Sequence, residues 1–264
     1  MSKKLSRAPV FFTIIQARFN AIPKLNEFAP SIQEKFGKCG YSDSQTSILR
    51  TLNISFATPS DSSPQQEPIN SLTQFTSSNF KLTESLILDH SSLTLQTTEY
   101  DTFEKLSKSF LDALRIVHEL VGGIAFIDRL GLRYLNTFKG KNDEKITNYV
   151  CEGVVGLFDS PERQVSHTFT ETVYKRENAS VTARAILRDG PFGFPADVQP
   201  GSMTVGSRFK EIMGIHAMLD IDCSTLSREI MDWENVVAGL RNIHDQAEDA
   251  FKKLTTDRAR EVWQ

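Results

Sequence analysis

HSSLTLQTTEYDTFEKLSKSFLDALRIVHELV, residues 90–121, and HAMLDIDCSTLSREIMDWENVVAGLRNIHDQA, residues 216–247, align without a gap at an offset of 126. His90 falls on His216, Leu93 on Leu219, Leu114 on Leu240, Arg115 on Arg241 and His118 on His244, five identities in 32 positions. Leu95/Ile221, Thr98/Ser224, Ala113/Gly239, Val117/Ile243 and Glu119/Asp245 are conservative pairs. Each stretch opens with period-two alternation and closes with helical spacing, so the repeated unit ends in a strand and a long helix. A duplicated unit makes single-copy features the places to look for specific function.

Upstream of the first stretch, VFFTIIQARF (10–19) is rich in β-branched and aromatic residues and reads as a strand. Pro23 then opens a helix over 23–37 with Leu25, Phe28, Ile32 and Phe36 on one face. SILRTLNISFA (47–57) reads as a strand, and TPSDSSPQQEPINS, which follows it, as a mobile loop. Residues 80–88 and 93–98 form a hairpin, and a helix beginning at Asp101 runs to the Gly122-Gly123 stop. The second half repeats the order: a strand over 124–138, a helix over 143–157, strands over 166–175 and 180–188 joined through Glu177-Asn178, a strand over 218–223 and a helix over 231–254. A short helix over 257–263 closes the chain, capped by Thr256 or Asp257. The expected fold is α+β: two tandem β-α-β-β-β-α repeats, 1–123 and 124–264, forming one pseudo-symmetric antiparallel sheet with the long helices on one face.

Strand parity then sorts the side chains. Leu93, Leu95, Leu219 and Ile221 face the helices; His90, Thr94, Gln96 and His216, Asp220, Asp222 share the other face. Arg18 and Arg133 end the first strand of each repeat and border the groove that this second face forms where the repeats meet. His216 with Asp220 and Asp222 suits a divalent cation by residue type. The first repeat has Thr94 and Gln96 at the matching places and no third carboxylate is evident, which favours a solvated polar face. His118 and His244 flank the apolar stripes of the long helices and read as structural. In GPFGFP, Phe192 and Phe194 are single-copy aromatics, equally suited to anchoring a partner or to folding back as a lid.

Thirty basic and 33 acidic residues give a net charge of −3, without the basic excess of a dedicated nucleic-acid binder. Cys39, Cys151 and Cys223 have neither zinc-knuckle spacing nor disulfide density, and the N-terminus lacks a signal-peptide pattern, so a cytoplasmic location away from membranes is expected. No phosphate-cradling GxxxxGK[ST] or GxGxxG and no GxSxG elbow occurs.

Three segments carry a resemblance: Pro9-Val10 to Arg18-Phe19, the central RLGLRYLN of Arg129 to Asn136, and a tail of His244, Phe251, Thr256-Asp257, Ala259-Arg260 and Trp263. In these the chain resembles a sporadically distributed, functionally unassigned bacterial family of proteins of about this length. The family offers no cofactor or catalytic residue to carry over. Its patchy distribution implies an accessory protein of a bacterial defence or toxin-immunity system. The sequence therefore predicts a non-catalytic binding protein without cofactor, acting on a protein partner or small-molecule ligand through the inter-repeat groove or the Phe192/Phe194 loop, and leaves a homodimer open. The alternatives are a metal-dependent enzyme built on His216, Asp220 and Asp222, and a small-ligand sensor.

Overall fold

The computed structural model of the chain describes residues 8–51, 70–142, 144–159 and 165–264. Strand β1 (Val10–Phe19) and helix α1 (Leu25–Lys38) open it, followed by β2 (Asp43–Thr51), β3 (Asn70–Ser78), β4 (Glu84–Asp89), β5 (Ser92–Thr97) and α2 (Phe103–Leu120). The second half runs β6 (Phe126–Phe138), a 3-10 turn at Ile146–Asn148, α3 (Glu152–Val155), β7 (His167–Arg176), β8 (Ala179–Pro191), α4 (Ser207–Lys210), β9 (Met213–Thr225), β10 (Glu229–Ile230), α5 (Trp233–Leu254) and α6 (Asp257–Trp263). The long helices α2 and α5 and the short α6 start where their caps dictate: the side chains of Thr102, Asp232 and Thr256 accept from the backbone N–H of Lys105, Asn235 and Ala259. The β7–β8 hairpin turns through Glu177 and Asn178, both at positive φ (49° and 60°), as a two-residue turn matching the strand twist requires.

All strands join one antiparallel sheet in the order β2-β3-β4-β5-β1-β6-β9-β8-β7, with β10 paired to the start of β6. The centre is the β1–β6 pair, and β5 and β9 flank it on either side. One face is covered by α1, α2 and α5, and its core runs across both halves through Ile15, Ala17, Leu93, Leu95, Leu130, Leu132, Ile221, Cys223, Phe110, Leu114, Leu240 and Ile243. A second apolar cluster, with Phe138, Tyr149, Leu187, Leu219 and Trp263, seats α6 and the 3-10 turn at one end of that face.

Several expectations are corrected. The helix read over 143–157 is a 3-10 turn and a four-residue helix, because Gly153 lowers helix propensity and Gly156 takes φ 54°. Its apolar spacing survives in another form: Ile146, Tyr149, Val150 and Val154 are buried against the second cluster. The strand read at 47–57 starts at Asp43, paired with Ser78; residues 52–57, and 58–69 of the loop read after them, lie outside the described residues. Strand β3 was not anticipated, since NSLTQFTSS is too rich in Ser and Thr to advertise a half-buried strand. With β3 the described residues of the first half carry four strands after α1, against the three expected.

The second face is crossed by the segment between β8 and β9. Phe192 and Phe194 fold back onto Phe11 and Phe12 in edge-to-face contacts with ring centroids 4.9–5.3 Å apart. Val198, Val205, Phe209 and Ile212 join them over Leu135 and Met218. The segment reaches as far as the first half, where Thr204 donates its backbone N–H to Leu82 at 2.7 Å and accepts from the Thr98 hydroxyl at 2.6 Å. It is a strap packed on the sheet, and the two phenylalanines serve as its inner anchors.

Candidate functional site

Along four adjacent strands, the second face changes character at the strap's border. Under the strap it is apolar: Phe12, Leu135, Met218 and Ile186. Next along the same strands come Arg133, Asp220 and Arg184, and beyond them Gln16, Arg18, Gly131, Arg129, Asp222 and Thr182. Parity places all of these away from the helices, because their neighbours Ala17, Leu130, Leu132, Ile221 and Ala183 belong to the helix-side core.

The border is a chain of ion pairs. Arg133, on β6, donates Nε and Nη2 to the two carboxylate oxygens of Asp220 on β9, both at 2.7 Å. Its Nη1 and Nη2 also reach Asp197 of the strap at 2.7 and 3.1 Å. Arg184, on β8, adds Nη1 to Asp220 at 3.2 Å and Nε to Glu171 of β7 at 2.6 Å. Asp220 is 2% exposed and the Arg133 side chain 12%, so the network is shielded from screening where it matters. Burial works against the Arg133 charge, yet its bonds to Asp220 and Asp197 outweigh it and raise its pKa. The Arg133 hydrogen bond holds the Asp197 carboxyl below its ordinary range. The network therefore pins the strap to the sheet.

Beyond the border the face is open. Arg18 and Arg129 stand directly opposite each other on β1 and β6. Gly131, opposite Gln16, carries no side chain, and the Arg129 guanidinium lies over it, its Cζ 4.0 Å from where a Cβ would stand. Gln16 donates to the Thr94 hydroxyl at 2.9 Å, Gln96 lies opposite Ile14, and Arg129 sits 3.9 Å from Asp222. Burial pushes the Asp222 carboxyl up against the pull of Arg129 and Arg133. Arg18 is exposed, and no ion pair to it occurs among the described residues.

The structure thus brings together Thr94, Gln96, Arg18, Arg133, Asp220 and Asp222 on one face and separates the two repeated histidines. His90 lies in the β4–β5 turn, half exposed, 3.8 Å from Asp89 and beside a depression lined by Ile22, Pro23 and Asn26. His216 is 2% exposed within β9, its Nδ1 2.8 Å from the Gly214 carbonyl, and burial lowers its pKa. Strands β1 and β6 stand between β5 and β9, so the two imidazoles share no cavity. Nor do His216, Asp220 and Asp222 form a ligand cluster. His216 and Asp220 are four residues apart along an extended strand, about 13 Å, and two guanidiniums already neutralise Asp220. Arg133 sits in mid-strand opposite Ile14 and does not end β6, which continues to Phe138; the residue opposite Arg18 is Arg129.

The helix-flank histidines are structural, as expected. His118 Nδ1 accepts the Ile124 N–H at 3.0 Å and its ring meets Trp233 edge-on. His244 stacks on Phe103 with centroids 4.0 Å apart and lies 3.1 Å from the Tyr134 hydroxyl, and burial lowers its pKa. His244, Asp245 and Glu248 have potential ligand atoms within 4.8 Å of one another, but the His244 Nδ1 is engaged by Tyr134.

Sequence reasoning missed Arg129, Gly131, Arg184, Glu171 and Asp197. The first two share the parity of Arg133 within RLGLRY and were legible there. Asp197 carries no local signal, since it meets Arg133 across 64 residues of chain. No family model matches the chain, and no curated protein or solved structure matches it. Among the described residues no helix is long and apolar enough to cross a membrane.

Proposed function

We propose that this chain is a non-catalytic binding protein that holds an oxyanion group of its ligand or partner, a carboxylate or a phosphate, on the open part of the second sheet face. The observation that carries the reading is the Arg18–Arg129 pair. Like charges directly opposite on neighbouring strands are destabilising, so a fold that keeps them there gains when an anion bridges them. Gln16 and Gln96 add neutral hydrogen-bonding groups, and Gly131 gives the Arg129 guanidinium room to lie along the sheet. Asp222, 3.9 Å from Arg129, is the group an incoming anion displaces.

The reading of two tandem repeats meeting at Gly123/Ile124 belongs to this proposal. It is supported by β5 joining β1 as β9 joins β6, and by a long helix following each. The groove is then the seam between repeats, and the strap is the single-copy element that narrows it. The resemblance in the three short segments supports a cytoplasmic accessory role in bacterial defence or toxin immunity, with the anion carried by the protein's cognate partner.

Thermal unfolding in the presence of inorganic phosphate and, separately, of a hexaglutamate peptide tests the site. A ligand at 100 times its Kd stabilises by about 2.7 kcal/mol, a rise of several degrees for a chain this long. At least one probe raises Tm for the wild-type chain and fails to do so for Arg18→Ala and Arg129→Ala. A Tm unmoved by both probes, or a shift retained in both variants, overturns the proposal.

A further inference from the structure

Strand β7 closes one end of the sheet, and among the described residues nothing pairs with its outer edge. It is ten residues long, in unbroken register with β8 from His167↔Arg188 to Arg176↔Ala179. It has no proline and no bulge, and no helix covers that edge among the described residues; the charged side chains of Glu171, Lys175 and Arg176 are what guards it. Its side chains are mostly exposed on both faces, including Phe169 at 54% and Val173 at 61%. A regular, twisted edge of this length offers a row of unpaired backbone donors and acceptors to another strand.

The sequence of β7 says which strand fits. Two copies related by a two-fold axis perpendicular to the sheet pair antiparallel, and each residue must then meet one of its own parity. With the axis at Val173, Glu171 of each copy faces Lys175 of the other, Thr172 faces Tyr174, Thr170 faces Arg176, and Val173 meets Val173; Phe169 then lies opposite Glu177, which belongs to the turn beyond the strand. An axis at Phe169 also avoids facing like charges but pairs only the first five residues of β7, whereas the registers next to Val173 are worse. An axis at Glu171 stacks two carboxylates, one at Tyr174 sets Glu171 against Glu177, and one at Thr172 sets Phe169 against Lys175 and Glu171 against Val173. We infer that this protein forms a two-fold dimer by antiparallel β7–β7 pairing centred on Val173, which joins the two sheets edge to edge. Charge complementarity of the strand with itself selects a second copy as the occupant.

Glu171, Val173 and Lys175 lie on the strap side of the sheet, because their β8 partners are Arg184, Thr182 and Ser180. Pairing thus continues the chain of alternating charge that runs Asp197, Arg133, Asp220, Arg184, Glu171 across the axis to the partner's Lys175. It also sets the two open polar faces on the same side of one extended sheet. The inference rests on the fold alone, and the outcome of the oxyanion test leaves it untouched.

Sedimentation equilibrium of the full chain from about 1 to 200 µM is the test, and the wild-type chain dimerises within that range. Lys175→Glu and Glu171→Lys each replace two facing opposite charges by like charges. Each weakens the dimer roughly tenfold to hundredfold. An equimolar mixture of the two variants recovers a heterodimer, because every facing position again carries opposite charge. Both residues are exposed, so unchanged circular dichroism and a cooperative unfolding transition at dilution verify that the monomers are folded, with Tm lowered in Glu171→Lys, which loses its bond to Arg184, and unchanged in Lys175→Glu. A wild-type chain that stays monomeric at 200 µM, a dimer indifferent to both charge reversals, or a mixture that stays as monomeric as its components overturns the inference.

Discussion

Asp220→Ala probes the ion-pair network that holds the strap. The carboxylate is 2% exposed and accepts three bonds, from Arg133 Nε and Nη2 at 2.7 Å and from Arg184 Nη1 at 3.2 Å. Removing one member of a buried charge pair typically costs about 3–5 kcal/mol, most of it from the charge left behind. Here each guanidinium keeps another carboxylate, Asp197 for Arg133 and Glu171 for Arg184, so the expected cost falls to about 2–3 kcal/mol, the range of a hydrogen bond to a charged group. At about 2–4 °C per kcal/mol for chains of roughly this size, Tm drops by about 4–12 °C. Urea unfolding should show the same loss as a lower midpoint. Amide exchange separates mechanism from bulk destabilisation: protection should fall first in the strap, at Phe192 and Val198 to Ile212, and only later in β1 and β6. A loss under 1 kcal/mol, or exchange that rises equally across the sheet, refutes the claim that Asp220 ties the strap down through Arg133.

Phe194→Ala removes a ring packed edge-on against both Phe11 and Phe12, and should cost about 3 kcal/mol by urea titration, at the low end for a phenylalanine truncation because the ring is only part-buried; a cost under 1 kcal/mol would mean that the strap is not docked. Burial lowers the pKa of both His216 and His244. A depressed histidine pKa means that the unfolded chain binds the extra proton first, so their contribution is complete above about pH 6.5 and is lost as pH falls below it. Unfolding free energy should therefore decline between pH 7 and 5, and His244→Gln should flatten that decline; an unchanged slope in the variant would remove His244 from the account.

Much of the helix-side architecture was legible because it is periodic. VFFTIIQARF is a strand with the bounds expected, Thr256 caps the short last helix as read, and the long helices begin two residues after the expected Asp101 and Met231, where Thr102 and Asp232 cap them. Parity alone put Thr94, Gln96, Asp220 and Asp222 on the face away from the helices, and they are there. Legibility failed where local pattern and tertiary packing diverge. Residues 146–155 keep helical spacing but pack as two short turns, since Gly153 and Gly156 weaken the helix and burial of Tyr149 needs no regular backbone.

The alternation of side chains along each strand is a property of the covalent chain, so sequence by itself determined two faces and what each carries. It could not determine what lies opposite what. Whether Arg18 faces Arg129 or Arg133 depends on the β1–β6 register, and a slip of one residue would turn every side chain of a strand to the other face. That Phe192 and Phe194 lie on Phe11 and Phe12, and that Asp197 closes on Arg133, follows from bringing together residues some 60 to 180 positions apart in the chain. Only the assembled sheet could make the GPFGFP loop a strap and leave Arg18 and Arg129 beside its border, open to an anion.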